Sequence, residues 1–197
     1  MSEFWNQRYA AEEFAYGTDP NLFFKKQLEK IKKGKILLPA EGEGRNAVFA
    51  ASLGWDVTAF DISTEGKRKA GELAVRNKVS FNYLIADYEN IQFEPATFDC
   101  IALIFAHMPA DKRTEYHQKM LSFLKPGGFV LLEGFSKKQI NYSSGGPRDF
   151  RMLYSKAELE TDFQQLSILQ IKEVETELNE GGFHNGTAAL VRLVGKK

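Results

Sequence analysis

Two glycines, a carboxylate and a histidine are the residues of this 197-residue chain whose types and spacing suit chemistry. Gly42 and Gly44 stand in Leu38-Pro39-Ala40-Glu41-Gly42-Glu43-Gly44-Arg45-Asn46-Ala47, between an apolar run and a helical one. Lacking a Cβ, they admit a tight turn and let a ligand lie against the main chain. The unpaired N–H groups at the start of the following helix attract electronegative ligand groups. Asp61 comes about 20 residues after the first glycine, the span of a helix plus a strand, where a carboxylate accepts from ribose hydroxyls. This is the layout of a nucleotide site, and Gly42 to Ala47 also satisfies the dinucleotide fingerprint with alanine last. His107, in Phe105-Ala106-His107-Met108-Pro109, follows an apolar run at the edge where ligands enter open α/β sheets. It is the candidate general base if a substrate must lose a proton. His107, His117 and His184 have no metal-ligand spacing, and no metal site is expected.

The elements that must hold these residues alternate. Apolar or β-rich runs at 35–39, 57–60, 80–86, 98–105 and 129–133 predict strands; helical periodicity covers 45–53, 64–76 and 110–124. Strands apolar on both faces, separated by helices, imply a mostly parallel sheet covered on both sides. Two longer runs, 166–178 and 188–194, joined by Asn179-Glu180-Gly181-Gly182, predict a closing antiparallel hairpin. Ahead of the core, 3–13 and 20–32 read as two helices, with Asp19 as N-cap and Pro20 at the first position of the second. Trp5, Tyr9, Phe14, Tyr16 and Phe23 lie in this segment. The stretch 136–153 is a long irregular loop of the kind that serves as a lid or binding loop. The expected whole is one domain over 1–197, a helical cap over 1–33 and a core over 34–197.

Composition narrows the function. Hydrophobic residues make up 43% of the chain and include 16 Phe, ample for one core. The 26 basic residues balance the 26 acidic ones, against the strong positive field of a nucleic-acid binder. Cys100 is the only cysteine, inside an apolar run, which suits a buried thiol in a reducing compartment. No window reads as a signal peptide or a membrane span, so a cytoplasmic protein without membrane partners is expected.

The glycine turn alone fits two enzymes and a non-catalytic cofactor binder. A nicotinamide oxidoreductase calls for a proton donor such as a tyrosine four residues before a lysine, and no tyrosine here has one. The chain instead carries Ile85-Ala86-Asp87-Tyr88 after the third strand, Thr97-Phe98-Asp99 opening the fourth, and Leu124-Lys125-Pro126-Gly127-Gly128 before the fifth. In this order the motifs resemble the class I S-adenosylmethionine-dependent methyltransferases. The nearer likeness, through Tyr16-Gly17-Thr18-Asp19-Pro20, is to small bacterial enzymes of the tellurite-resistance and thiopurine methyltransferase types. The resemblance implies a Rossmann-like α/β fold: a seven-stranded, mostly parallel sheet with helices on both faces, an antiparallel C-terminal hairpin and an N-terminal helical cap. It implies methyl transfer from S-adenosyl-L-methionine, with S-adenosyl-L-homocysteine as product, to a small-molecule acceptor by in-line displacement. Gly42 and Gly44 would underlie the methionine part and ribose, Asp61 with Ile62 the ribose, and Asp87 with Tyr88 the adenine edge. Phe105 and Ala106 would border the methyl-transfer position. Ala40 stands where the family has its first glycine and Leu38 where it often has an acid. Alanine there calls for a negative φ, and Glu41 and Arg45 become candidates for holding the amino-acid end.

Overall fold

The computed structural model describes residues 2–197. Five runs form parallel strands: β1 (Lys35–Pro39), β2 (Asp56–Asp61), β3 (Asn82–Ile85), β4 (Phe98–Ile104) and β5 (Leu124–Phe135). The C-terminal hairpin, β6 (Ile168–Asn179) and β7 (Asn185–Lys196), adds β7 antiparallel to β5 and completes a seven-stranded sheet of order β3-β2-β1-β4-β5-β7-β6. Alternation along the strands feeds two interiors. On one face Leu37, Ile101, Leu103 and Leu132 pack with Tyr116 and Met120 of α5 (Arg113–Phe123) and Leu159 of α6 (Lys156–Asp162). On the other, Ile36, Leu38, Cys100 and Ala102 pack with Phe24 and Leu28 of α2 (Leu22–Leu28), Ala47 and Ala50 of α3 (Arg45–Ser52) and Ala70 of α4 (Thr64–Arg76). A first helix, α1 (Ser2–Tyr9), lies against α4, and Asn6 Oδ1 accepts from Ser63 Oγ at 2.7 Å.

Tertiary bonds override local preference in the cap. The helix expected over 3–13 ends at Tyr9, because the backbone groups of 11–16 are taken by the core: Lys69 Nζ donates to the carbonyls of Ala11 and Glu13, and the amide of Ala15 donates to Glu43. The N-cap of α2 is Asn21 and not Asp19. Its Oδ1 accepts from the Phe24 amide at 2.9 Å, and Pro20 lies ahead of the helix. The Leu124–Gly128 turn is absorbed into the start of β5, opposite an irregularity in the β4 register. The 136–153 segment folds as two 3-10 turns, Lys137–Asn141 and Phe150–Met152. Helix α6, not expected, is started by a reciprocal capping box between Ser155 and Glu158.

Candidate active site

The chain runs outward from β1 through β2 to β3, then returns to place β4 on the other side of β1. The carboxyl ends of β1 and β4 therefore bound a switch-point crevice. Its floor is left-handed backbone: φ is +52° at Ala40, +60° at Gly42 and +86° at Gly44. The expected negative φ at Ala40 is thus wrong. Alanine here adopts the conformation glycine would have had, at a cost of about 1–2 kcal/mol. Phe105, just beyond β4, is also left-handed at +53°. Backbone strain thus marks both banks of the crevice, as it does at functional sites generally.

Asp61 ends β2 with its carboxylate buried beside that floor. Oδ2 accepts from the Gly42 amide at 3.0 Å and Oδ1 from the Ser63 amide at 2.9 Å. Burial raises its pKa, opposed by these backbone bonds. The helix start itself is capped by Ser63, whose Oγ accepts from Gly66. Each Asp61 oxygen keeps a further acceptor direction, so the residue orders the turn and can still receive hydroxyls. Ile62 follows, half-buried. Glu41 Oε1 accepts from the Ala47 amide at 2.7 Å, serving α3 in place of a side-chain cap at Gly44. Burial lifts its carboxyl to about 7 against the Ala47 bond and the Arg45 charge. Arg45 is engaged by the cap and the hairpin turn. Its Nη1 donates to the Tyr16 carbonyl and its Nη2 pairs with Glu180 at 2.8 Å.

On the far side, Asp87 closes a turn by accepting from the Asn90 amide at 2.7 Å and from the Asn90 side chain. The Tyr88 ring turns into the core, stacked on Tyr116 and edge-on to Phe60, with its hydroxyl unpartnered. The residue as a whole stays half-buried. Ala106 is buried, and its carbonyl accepts from the Tyr154 hydroxyl at 2.7 Å.

His107 is not placed to act as a base. Its Nδ1 is 2.9 Å from the Met152 carbonyl, which can only accept, and its Nε2 is 3.1 Å from the Phe135 amide, which can only donate. Those partners fix a neutral ring with both nitrogens engaged, and burial lowers its pKa to about 4. Two histidines keep a ring nitrogen without a partner among the described residues: His117, whose Nε2 is sealed in the core behind its Asp162 bond, and His184, in the turn between β6 and β7. Its ring lies 4.4 Å from those of both Tyr16 and Phe105 and 5.2 Å from that of Phe135. Nδ1 is 3.4 Å from Glu180 Oε2, which assigns it the proton; Nε2 takes no partner among the described residues. Burial keeps this ring neutral, although Glu180 pulls the other way. Burial also disfavours ionised Glu180, but the bonds to His184 and Arg45 outweigh it and hold the carboxyl at about 2.

The cap packs against this aromatic cluster. Tyr9 reaches so near Gly42 that a Cβ there would meet its hydroxyl at 2.6 Å, and the Trp5 ring stacks on Tyr9. Gly17 and Gly181 meet backbone to backbone, joining cap to hairpin turn, and the Arg8 guanidinium lies 3.9 Å from the Phe183 ring centre. Phe14 and Phe23 pack on the core instead. No sequence signal pointed to Glu180, because its partners Arg45 and Asn21 meet it only in the fold. A cleft of about 390 Å³ opens between Pro109–Asp111 and Asp149–Met152. Among the described residues no three His, Cys, Asp or Glu side chains group as metal ligands, and no helix is long and apolar enough to cross a membrane.

A crevice with this strand order, floored by a glycine turn and facing an acid at the end of β2, defines the class I methyltransferase architecture. Residues 36–128 match the family model described as a methyltransferase domain. Thiopurine S-methyltransferase of Vibrio cholerae serotype O1 is 26% identical over 84% of this chain and 86% of its own length. In fold, TehB of Haemophilus influenzae superposes with a TM-score of 0.74 at 18% identity, covering 100% of this chain and 66% of that one. Phosphoethanolamine N-methyltransferase 2 of Haemonchus contortus, solved with phosphomonomethylethanolamine and S-adenosylhomocysteine, gives 0.71 at 17% identity, covering 98% and 57%. Together these likenesses support a class I S-adenosylmethionine-dependent methyltransferase.

Proposed function

We propose that the chain methylates a small-molecule acceptor that docks under the cap, beside the cluster of Tyr16, Phe105, Phe135 and His184. The carrying observation is the His184 ring, in contact with the cap at Tyr16 and with the end of β4 at Phe105. That contact leaves little room for a macromolecular acceptor. The S-adenosylmethionine cofactor, which supplies an electrophilic methyl on a positively charged sulfur, fits the crevice by its donor set. The ribose falls to Asp61 with Ile62, the adenine to Asp87 and the Tyr88 backbone. The methionine end falls to the Ala40–Gly42 turn with Glu41 and Gly44, and the reacting side to Phe105 and Ala106. The work left to the protein is alignment and exclusion of water, which in comparable reactions is worth about 7–11 kcal/mol of barrier. Where the acceptor must lose a proton, the lone pair of His184 Nε2 receives it, and Glu180 steadies the imidazolium formed.

Calorimetry with S-adenosylhomocysteine tests the cofactor reading. Binding is expected for the wild type, and Asp61→Ala is expected to weaken it at least about tenfold, since charge-assisted hydrogen bonds contribute about 1.5–3 kcal/mol each. No binding, or equal binding by the variant, sinks the assignment. Transfer of labelled methyl across an acceptor panel then finds the substrate. Heteroaromatic thiols head the panel because relatives matching 84% of the chain are named for thiopurine S-methylation.

A further inference from the structure

Helix α4 carries a lysine that the methyl-transfer reading leaves without a task. Lys69 is 1% exposed, in the middle of a helix whose outer face is charged. A lone ammonium so buried is costly unless fully engaged. Here Nζ donates to the carbonyls of Glu13 at 2.6 Å and Ala11 at 2.9 Å, and lies 2.6 Å from Glu43 Oε1, which it meets off axis. The other oxygen of Glu43 accepts from the Ala15 amide at 2.8 Å. Glu43 is the residue between the two glycines of the crevice floor, and its side chain points away from the crevice into this cluster. The same face of α4 also touches that floor directly. A Cβ on Gly66 would meet the Gly42 carbonyl oxygen at 3.0 Å, and one on Gly44 would meet Ala70 Cβ at 2.6 Å. Gly66, Lys69 and Ala70 are neighbours on one helical face. They grip Gly42, Glu43 and Gly44 in turn, while Lys69 also holds the cap.

We propose that Lys69 and Glu43 are positioning residues that couple occupation of the cofactor crevice to closure of residues 10–16 over the acceptor. This rests on the cofactor lying at the Gly42 turn. Packing alone does not require a charge pair at this place, because apolar residues of similar volume generally replace buried ion pairs without loss of stability. The pair instead makes one object of the floor and the lid. A ligand that fixes Gly42 to Gly44 fixes Glu43, Glu43 and Lys69 fix 11–15, and these carry Tyr16, which meets the rings of Tyr9 and His184. By linkage, a docked cap tightens the crevice by the same factor that an occupied crevice tightens the cap.

Hydrogen exchange of the full chain with and without S-adenosylhomocysteine tests the coupling, with Lys69→Met and Glu43→Gln as variants. Gln at 43 retains an acceptor for Ala15 and removes the charge. In the wild type the ligand is expected to slow exchange across 10–16 by tenfold or more. In both variants binding is expected to be about tenfold weaker, and at saturating ligand the slowing over 10–16 is expected to fall below about twofold while β1 and β4 keep wild-type protection. Full ligand-dependent slowing in either variant overturns the proposal. So does loss of protection in β1 and β4 alongside the cap, which would make the pair a general support of the fold. Failure of the wild type to bind in calorimetry overturns the cofactor reading and the coupling together, and is distinct from a wild type that binds without slowing its cap.

Discussion

His107 presents both ring nitrogens to main chain, one to Met152 and one to Phe135, so its removal orphans a carbonyl and an amide in a half-buried place. Each such orphan costs about 1–3 kcal/mol. His107→Ala is therefore expected to lower unfolding stability by about 2–4 kcal/mol in urea titration while leaving S-adenosylhomocysteine affinity within about threefold. A variant of unchanged stability that has lost turnover would restore the general-base role. The sequence could not separate His107 from His184. Both stand in turns beside aromatic residues, and what distinguishes them is the partner of each second nitrogen, supplied by Met152 and Phe135 in one case and by none of the described residues in the other. Ala40 teaches a related lesson. Its substitution for glycine was visible, but its left-handed φ of +52° despite its Cβ was not.

At the scale of elements, α4 separates propensity from packing. It contains two glycines, Gly66 against the crevice floor and Gly71 with nothing within 4 Å of a prospective Cβ. Gly71→Ala is expected to raise stability by about 0.5–1 kcal/mol through helix propensity, seen as a higher urea midpoint at unchanged slope, with ligand affinity unaltered. Gly66→Ala presses on the Gly42 carbonyl and the Tyr9 ring, and is expected to weaken S-adenosylhomocysteine about tenfold in calorimetry. Equal effects of the two substitutions on affinity would show that α4 does not set the turn. The strand-turn-helix-strand run from Lys35 to Asp61 was legible because all its signals are local: apolar alternation, two glycines, an acid after one helix and one strand. The Ser155–Glu158 capping box was equally local and shows that a short helix can be announced and overlooked. The end of α1 at Tyr9 was not legible, since it is decided by Lys69 and Glu43 from α4 and the glycine turn.

For the whole molecule, two sets of buried and half-buried groups give stability opposite slopes with pH. His107 titrates near 4 in the fold against an ordinary 6.5, so the stability it confers is full above 6.5 and lost as pH falls through 4. Asp162 and Glu180, both held at about 2 by their bonded partners in spite of burial, add stability present above the ordinary carboxylate range and lost as pH falls through 2. Glu41 runs the other way. Its folded carboxyl keeps its proton up to about 7 while the unfolded chain releases it near 4.5. Between those values the unfolded state binds fewer protons, so stability is full below 4.5 and falls as pH rises through 7. Glu41→Gln keeps an acceptor for the Ala47 amide and removes the titration. The stability of the variant relative to the wild type is accordingly expected to grow from pH 5 to pH 8, by an amount on the order of 1–3 kcal/mol, and denaturant midpoints at three pH values measure it. A difference that stays constant over that range would mean that Glu41 is solvated in the fold. The crevice wall at Glu41 would then be open to water.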